Sequence, residues 1–169
     1  MNAEAALLLG ALLIGIGATL FMDVCGTLLQ RAFNIPSADY CLVGRWLCHM
    51  LEGKFTHTSI AAASRKDSEC AVGWVAHYVI GTMYALMLVA LMSGNWLARP
   101  TVLPAVLFGV GSVLVPYLIM QPSFGLGIAA SKAPRPTEAR MRSLAAHAIF
   151  GVGLYISAIG VSYVLPIAG

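Results

Sequence analysis

The sequence predicts an all-α integral membrane protein, a bundle of four transmembrane helices with a short amphipathic interfacial helix in the first cytoplasmic loop. Three observations predict it. Apolar residues make up 59% of the 169 residues and charged ones only 10%, against about 25% charged in an ordinary soluble domain. Four apolar stretches approach the ~20 residues needed to cross roughly 30 Å of hydrocarbon. Nine of the ten Lys and Arg residues fall in two inter-helix loops, the asymmetry of the positive-inside rule.

The expected spans run from about Ala5 to Leu29, Val72 to Met92, Val102 to Met120 and Ser143 to Leu165, within one membrane domain covering residues 1–169. Arg31, Arg45, Lys54, Arg65 and Lys66 lie in the loop 30–71, and Lys132, Arg135, Arg140 and Arg142 in the loop 121–142. With these loops cytoplasmic, both termini face the periplasm of a bacterial inner membrane. The leader Met1-Asn2-Ala3-Glu4 carries no positive charge, so the first span is expected to be retained and not cleaved as a signal peptide. The net charge of +3 comes from residues flanking spans. No nucleic-acid partner is expected, because no basic stripe forms. The expected partner is the lipid bilayer, with anionic headgroups beside the basic loops.

Small residues mark where helices can approach closely: Gly15 and Gly17 in the first span, Gly109 and Gly111 in the third, Gly151, Gly153, Ser157 and Gly160 in the fourth. Most are expected to pack this bundle, and a homo-oligomer or a partner in a membrane complex remains open. Pro116, inside the third span, cannot donate to Ser112 and predicts a kink that tilts Tyr117 and Gln121.

The informative residues are polar ones at membrane depth. Asp23 lies in the first span, seven residues from Gln30 and so roughly 10 Å below the boundary. His77, Tyr117 with Gln121, and His147 lie near the same ends of the other spans. An unpaired carboxylate at mid-membrane costs roughly 2.5–3.5 kcal/mol on insertion scales. Convergence of Asp23, His77, His147, Gln121 and Tyr117 on one buried polar site, as acid–base or positioning groups, would offset that cost. Asp23, His77 and His147 also make up a two-histidine, one-carboxylate set suited to a transition metal, although no HxxxH, Glu-x-x-His or CxxC spacing supports it.

The loops carry structure of their own. Pro36-Ser37 reads as a helix start, with Ser37 as N-cap and Asp39 in the first turn. Tyr40, Val43, Leu47, Met50 and Leu51 follow at helical spacing, opposite Arg45, His49 and Glu52, and Gly53 is a natural stop. This helix is expected on the inner membrane surface with Trp46 near the headgroups. A weaker element through Phe55–Ile60 follows, and Arg65–Glu69 reads as a solvated run capping the second span. The segment is either a lid over the polar layer or a plain connector. Gln121–Lys132 is apolar for a loop and is expected to lie against the bundle. Gly125 and Gly127 allow close backbone approach, but no strand precedes them and Lys132 misses the P-loop spacing. Cys25, Cys41, Cys48 and Cys70 all map to the cytoplasmic side, where thiols are expected to stay free.

Several stretches together resemble a known family. They are Met22-Asp23-Val24 with Gly26 to Arg31, Ile35-Pro36-Ser37, Gly44-Arg45-Trp46 with His49, His57 with Ser59 to Ala62, Gly73-Trp74 with His77-Tyr78, Gln121-Pro122 with Gly125 and Gly127 to Ser131, and His147 with Phe150-Gly151. The chain resembles a family of small bacterial inner-membrane proteins catalogued only as a domain of unknown function. The resemblance implies four spans and places Gln30, Arg45, His49, His57, Tyr78, Gly125, Gly127 and Ser131 in the family pattern as candidate ligand-binding residues. It implies no substrate, cofactor or partner. Three functions stay open: a membrane-embedded enzyme or metal/redox protein acting on a small or lipophilic molecule, a small proton-coupled transporter, and an accessory or assembly subunit.

Overall fold

The structure, a computed structural model, describes residues 2–92 and 95–165. Helices are the only regular structure among these described residues, and four are long and apolar enough to cross a membrane: Glu4–Phe33, Glu69–Leu91, Val102–Ser123 and Pro136–Val164. The chain is a multi-pass membrane protein. Its helices overrun the apolar stretches wherever a basic loop follows. The first runs Ala3–Phe33 and stops at Asn34, whose left-handed backbone (φ 56°) lets its N–H close on the Gln30 carbonyl. Gln30 and Arg31 are good helix formers, so lipid ends before the helix does. The fourth begins at Pro136, seven residues ahead of the apolar run at Ser143. Proline suits a first helical position, and Glu138 pairs with Arg135 at 2.9 Å and Arg142 at 2.7 Å to extend the helix through polar sequence.

Pro116 produces a π-helical turn. The helix Val102–Ser112 is followed by a wider turn over Pro116–Met120, where the Gln121 N–H reaches back to the Pro116 carbonyl. The missing proline N–H is accommodated by that widening.

The chain divides into two compact units. The first comprises Met1–Ser37, Tyr78–Gly111 and Ala146–Gly169. Its core joins Ala11, Ile14, Ala18, Leu88, Leu97, Phe150 and Leu154. Helices meet here through small residues. A Cβ on Gly15 would overlap Thr82, one on Gly81 would overlap Thr19, and one on Gly109 would lie 2.5 Å from the Gly151 Cα. Gly17 meets Ser157 and Gly153 meets Ala18, as the sequence predicts, whereas Gly111 and Gly160 face open space. Close backbone approach substitutes for the hydrophobic drive that lipid withholds.

The second unit comprises Ala38–His77 and Ser112–Ala145. Its loop helix covers Tyr40–Leu51, as the periodicity predicts. The cap differs. Asp39 is the N-cap, accepting from the Cys41 N–H at 2.9 Å, while the Ser37 hydroxyl donates to Gln30 Oε1. Gly44 packs on the Glu69 backbone and Gly73 on the Tyr40 carbonyl, each so closely that no Cβ fits. That crossing brings Cys41 and Cys70 to a Cα separation of 3.9 Å, where they form a disulfide. The expectation of four free thiols is therefore corrected: Cys25 and Cys48 are free, Cys41 and Cys70 are bonded.

Candidate functional site

The loop helix turns its polar stripe inward. Gly44, Arg45 and His49 are its buried residues, whereas Leu51 is 90% exposed. A water-soluble helix does the reverse, so this polarity suits a lipid-facing exterior around a polar interior. Arg45 is the hub. Its guanidinium forks onto Glu69 with Nε–Oε2 at 2.8 Å and Nη2–Oε1 at 2.7 Å, and Nη1 donates to the Ile60 and Ala61 carbonyls. The Glu69 carboxylate raises the Arg45 pKa still further above its ordinary value. Glu69 also accepts the Lys66 N–H, so one carboxylate caps the second span and neutralises the hub. Glu69 is buried, which corrects its reading as part of a solvated run. Its helical start was visible in the sequence, but its partner 24 residues earlier was not.

Below Arg45 on the loop helix, His49 donates through Nε2 to the Ser64 carbonyl at 3.0 Å. Its ring meets that of His57 edge-on, centroids 4.9 Å apart. The segment after the loop helix is pinned to the end of the third span: His57 N–H donates to the Ser123 carbonyl at 2.8 Å, and Ile60 N–H to Phe124 at 3.2 Å. Trp46 donates to the Phe55 carbonyl and packs edge-on against Phe124. The weaker element around Phe55–Ile60 is thus irregular chain held by its neighbour.

Gly125 explains how the two loops come so close. Its positive φ of 87° and the overlap any Cβ would make with the Thr58 carbonyl leave glycine alone able to sit there. Gly127, φ 72°, lies under the Ser131 hydroxyl. Between the loops opens a cleft of about 820 Å³. Thr56, His57 and Thr58 form one wall, and Gly125, Gly127, Ser131 and Lys132 line the other, with Pro122 and Ile128 adding apolar surface. Four of the candidate ligand-binding residues, His57, Gly125, Gly127 and Ser131, therefore share one cleft, and Arg45 and His49 support it from behind. Lys132, Thr56 and Thr58 were not singled out as ligand-binding candidates. Only the flanking glycines signalled them.

His57 is the unusual member. It is 7% exposed, and among the described residues neither ring nitrogen has a hydrogen-bond partner of good geometry. Burial, followed by the nearby His49 and Lys54 charges, pushes its pKa below the ordinary value of 6.5, and the Ser123 backbone opposes this only in part. The surroundings thus favour the neutral ring, in a place where imidazoles are ordinarily satisfied.

The other candidates are distributed differently. Asp23 accepts from the Tyr78 hydroxyl at 3.0 Å and lines an open groove of about 290 Å³ with Thr27 and Arg31 on the first span. Gln30 is exposed and bonded to Ser37. His147 is partnered by the Gly109 backbone. His77 stacks on Tyr40, centroids 3.9 Å apart. Tyr117 donates to the Arg140 carbonyl at 2.6 Å, and Arg140 in turn donates to Ala129. Gln121 donates to Ser143 at 3.2 Å, leaving its buried Oε1 without a partner among the described residues. Among the described residues no group of three His, Cys, Asp or Glu side chains is placed to hold a metal ion, and Asp23 and His147 belong to the first unit while His77 belongs to the second. Each finds a local partner within its own unit, and such contacts lower the cost of the buried polar groups that motivated the triad.

The family described as "Protein of unknown function (DUF2938)" matches residues 12–161. The chain belongs to this family. The match takes in both loops and most of every span, so the cleft, the Arg45–Glu69 hub and the Asp23–Tyr78 pair all lie within the family's bounds. No curated protein and no solved structure matches the chain.

Proposed function

We propose that this is a bacterial inner-membrane protein, both termini periplasmic, whose loop-built unit binds and acts on the polar end of a small or lipophilic molecule. The carrying observation is the pairing of an open cleft with a buried, unsatisfied imidazole in its wall. A neutral imidazole offers one donor and one acceptor and exchanges its proton near physiological pH, the requirement for a general acid–base group. Ser131, Thr56 and Thr58 supply hydroxyls to orient a substrate, and the Arg45–Glu69 hub fixes the wall behind them. The exposed Ile128 and Leu51 suit a site approached from the bilayer surface.

Native mass spectrometry of the protein extracted from its own membrane tests this reading. The expected result is a bound small molecule or lipid, retained in Asp23→Asn and lost in His57→Ala and in Gly127→Val. Retention in both cleft variants, with loss in Asp23→Asn, would move the site to the groove of the first span.

A further inference from the structure

The cleft carries a charge imbalance that its described partners do not resolve. Lys132 lines it, together with the hydroxyls of Ser131, Thr56 and Thr58. No carboxylate is among the lining residues, and among the described residues no ion pair engages the Lys132 ammonium. Hydroxyl donors beside an exposed cation are complementary to an oxyanion. The arrangement is unrelated to a P-loop, since the lysine follows Gly127 by five residues with no preceding strand.

Resting on the cleft reading above, we infer that the ligand is anionic, a phosphate-bearing group held by Lys132 and Ser131, and that its binding is coupled to protonation of His57. The coupling follows from the ring's surroundings. Facing His57 are His49 from the loop helix, Lys54 from the segment after it, and the Ser123 carbonyl from the end of the third span. Lys132 shares its cleft. Glu52, a carboxylate beside His49 at 3.9 Å, is engaged by Lys66. Positive charge thus outweighs negative around the ring, and burial adds to the effect. An anion arriving in the cleft reverses that balance, so the bound form takes up a proton that the free form refuses. The phosphate could belong to a lipid headgroup or to a soluble molecule, which share this chemistry.

The test uses the full-length protein in nanodiscs, with Ile128→Cys as a reporter in a Cys25→Ser, Cys48→Ser background that keeps the Cys41–Cys70 bond. Ile128 lines the cleft and is 61% exposed, so its alkylation rate reports occupancy without removing a polar contact. Phosphatidylglycerol discs, or phosphatidylcholine discs with added inorganic phosphate, are expected to slow alkylation relative to phosphatidylcholine alone. Protection in the first arm alone assigns the group to a headgroup, and protection in the second extends it to soluble phosphates. Lys132→Gln should weaken protection at least about tenfold. In phosphatidylglycerol discs, whose phosphodiester does not titrate in this range, protection should strengthen from pH 7.5 to 5.5, by at most about tenfold per pH unit, and lose that dependence in His57→Gln. Equal protection by phosphatidylcholine would overturn the anion and leave the cleft. Failure of both phosphate arms, in protein that still shows a cleft-dependent bound molecule by mass spectrometry, would overturn it too. Failure of both experiments would fall on the cleft reading itself.

Discussion

The two compact units solve the problem of a membrane interior in opposite ways. In the unit built from Met1–Ser37, Tyr78–Gly111 and Ala146–Gly169, helices meet through glycine and alanine, and membrane-depth polar groups bond to near neighbours, as Asp23 does with Tyr78. In the unit of Ala38–His77 and Ser112–Ala145, the interior is charged and hydrogen-bonded: a forked Arg45–Glu69 pair, two facing histidines, a disulfide and carbonyls drawn onto a guanidinium. Close packing needs only shape. A polar interior needs every partner in place, and it is the interior that can recognise a polar ligand.

The largest expected effect separates the two directly. Arg45→Ala strands the buried Glu69 carboxylate and frees the Ile60 and Ala61 carbonyls, at about 3–5 kcal/mol. Asp23→Asn, which keeps an acceptor for Tyr78 in a half-buried place, should cost about 1 kcal/mol or less. Thermal unfolding of both variants in one detergent checks the ranking, and equal losses would erase the distinction.

Next comes the covalent tie. Reducing Cys41–Cys70, or replacing Cys41 by Ser, should destabilise by about 2–4 kcal/mol and loosen the loop helix first, as read by hydrogen exchange over Tyr40–Leu51. The same bond bears on orientation. If the basic loops are cytoplasmic, it sits where thiols are kept reduced. Mass tagging of thiols in whole cells reads the orientation: Cys41 and Cys70 bonded in growing cells would argue for loops facing the periplasm, and reduced there but bonded after extraction would argue for cytoplasmic loops.

In the packed unit the comparison sharpens at two glycines of one helix. Gly151→Leu drives a side chain into the Val106 backbone and should cost about 1–3 kcal/mol, whereas Gly160→Leu meets open space and should fall within about 0.5 kcal/mol.

The smallest effect is a pH slope. His57 is neutral in the fold at pH values where the unfolded chain is protonated, because its pKa lies below the ordinary 6.5. Its stability contribution is therefore intact above about pH 6.5 and fades as pH falls toward the folded value, by at most about 1.4 kcal/mol per unit. Unfolding midpoints at pH 7.5 and 5.5 should differ less in His57→Gln than in the parent.

What the sequence made legible follows the same division. Apolar run length located all four spans, and helical periodicity located Tyr40–Leu51 to the residue, because both are local signals. The loop helix was nonetheless assigned its faces by ordinary amphipathicity, and nothing local says that Arg45 and His49 turn inward. That depends on Glu69, the partner of Arg45, and on the Ser64 carbonyl, the partner of His49, both distant in sequence. The depth of Asp23, His77 and His147 is readable at 1.5 Å per residue, whereas each side chain's local partner, such as Tyr78 for Asp23, is not. Gly125 and Gly127 signalled a close approach. Its counterpart, the Thr58 carbonyl, carries no mark in the chain.

Imidazole nitrogen NMR of the four histidines, in protein labelled at histidine and titrated with its co-purified molecule, tests the central claim most directly. The account expects the His57 resonances to be those of a neutral ring in the free protein and to shift on binding, with His147 unmoved. A shift at His147 with His57 silent would contradict it.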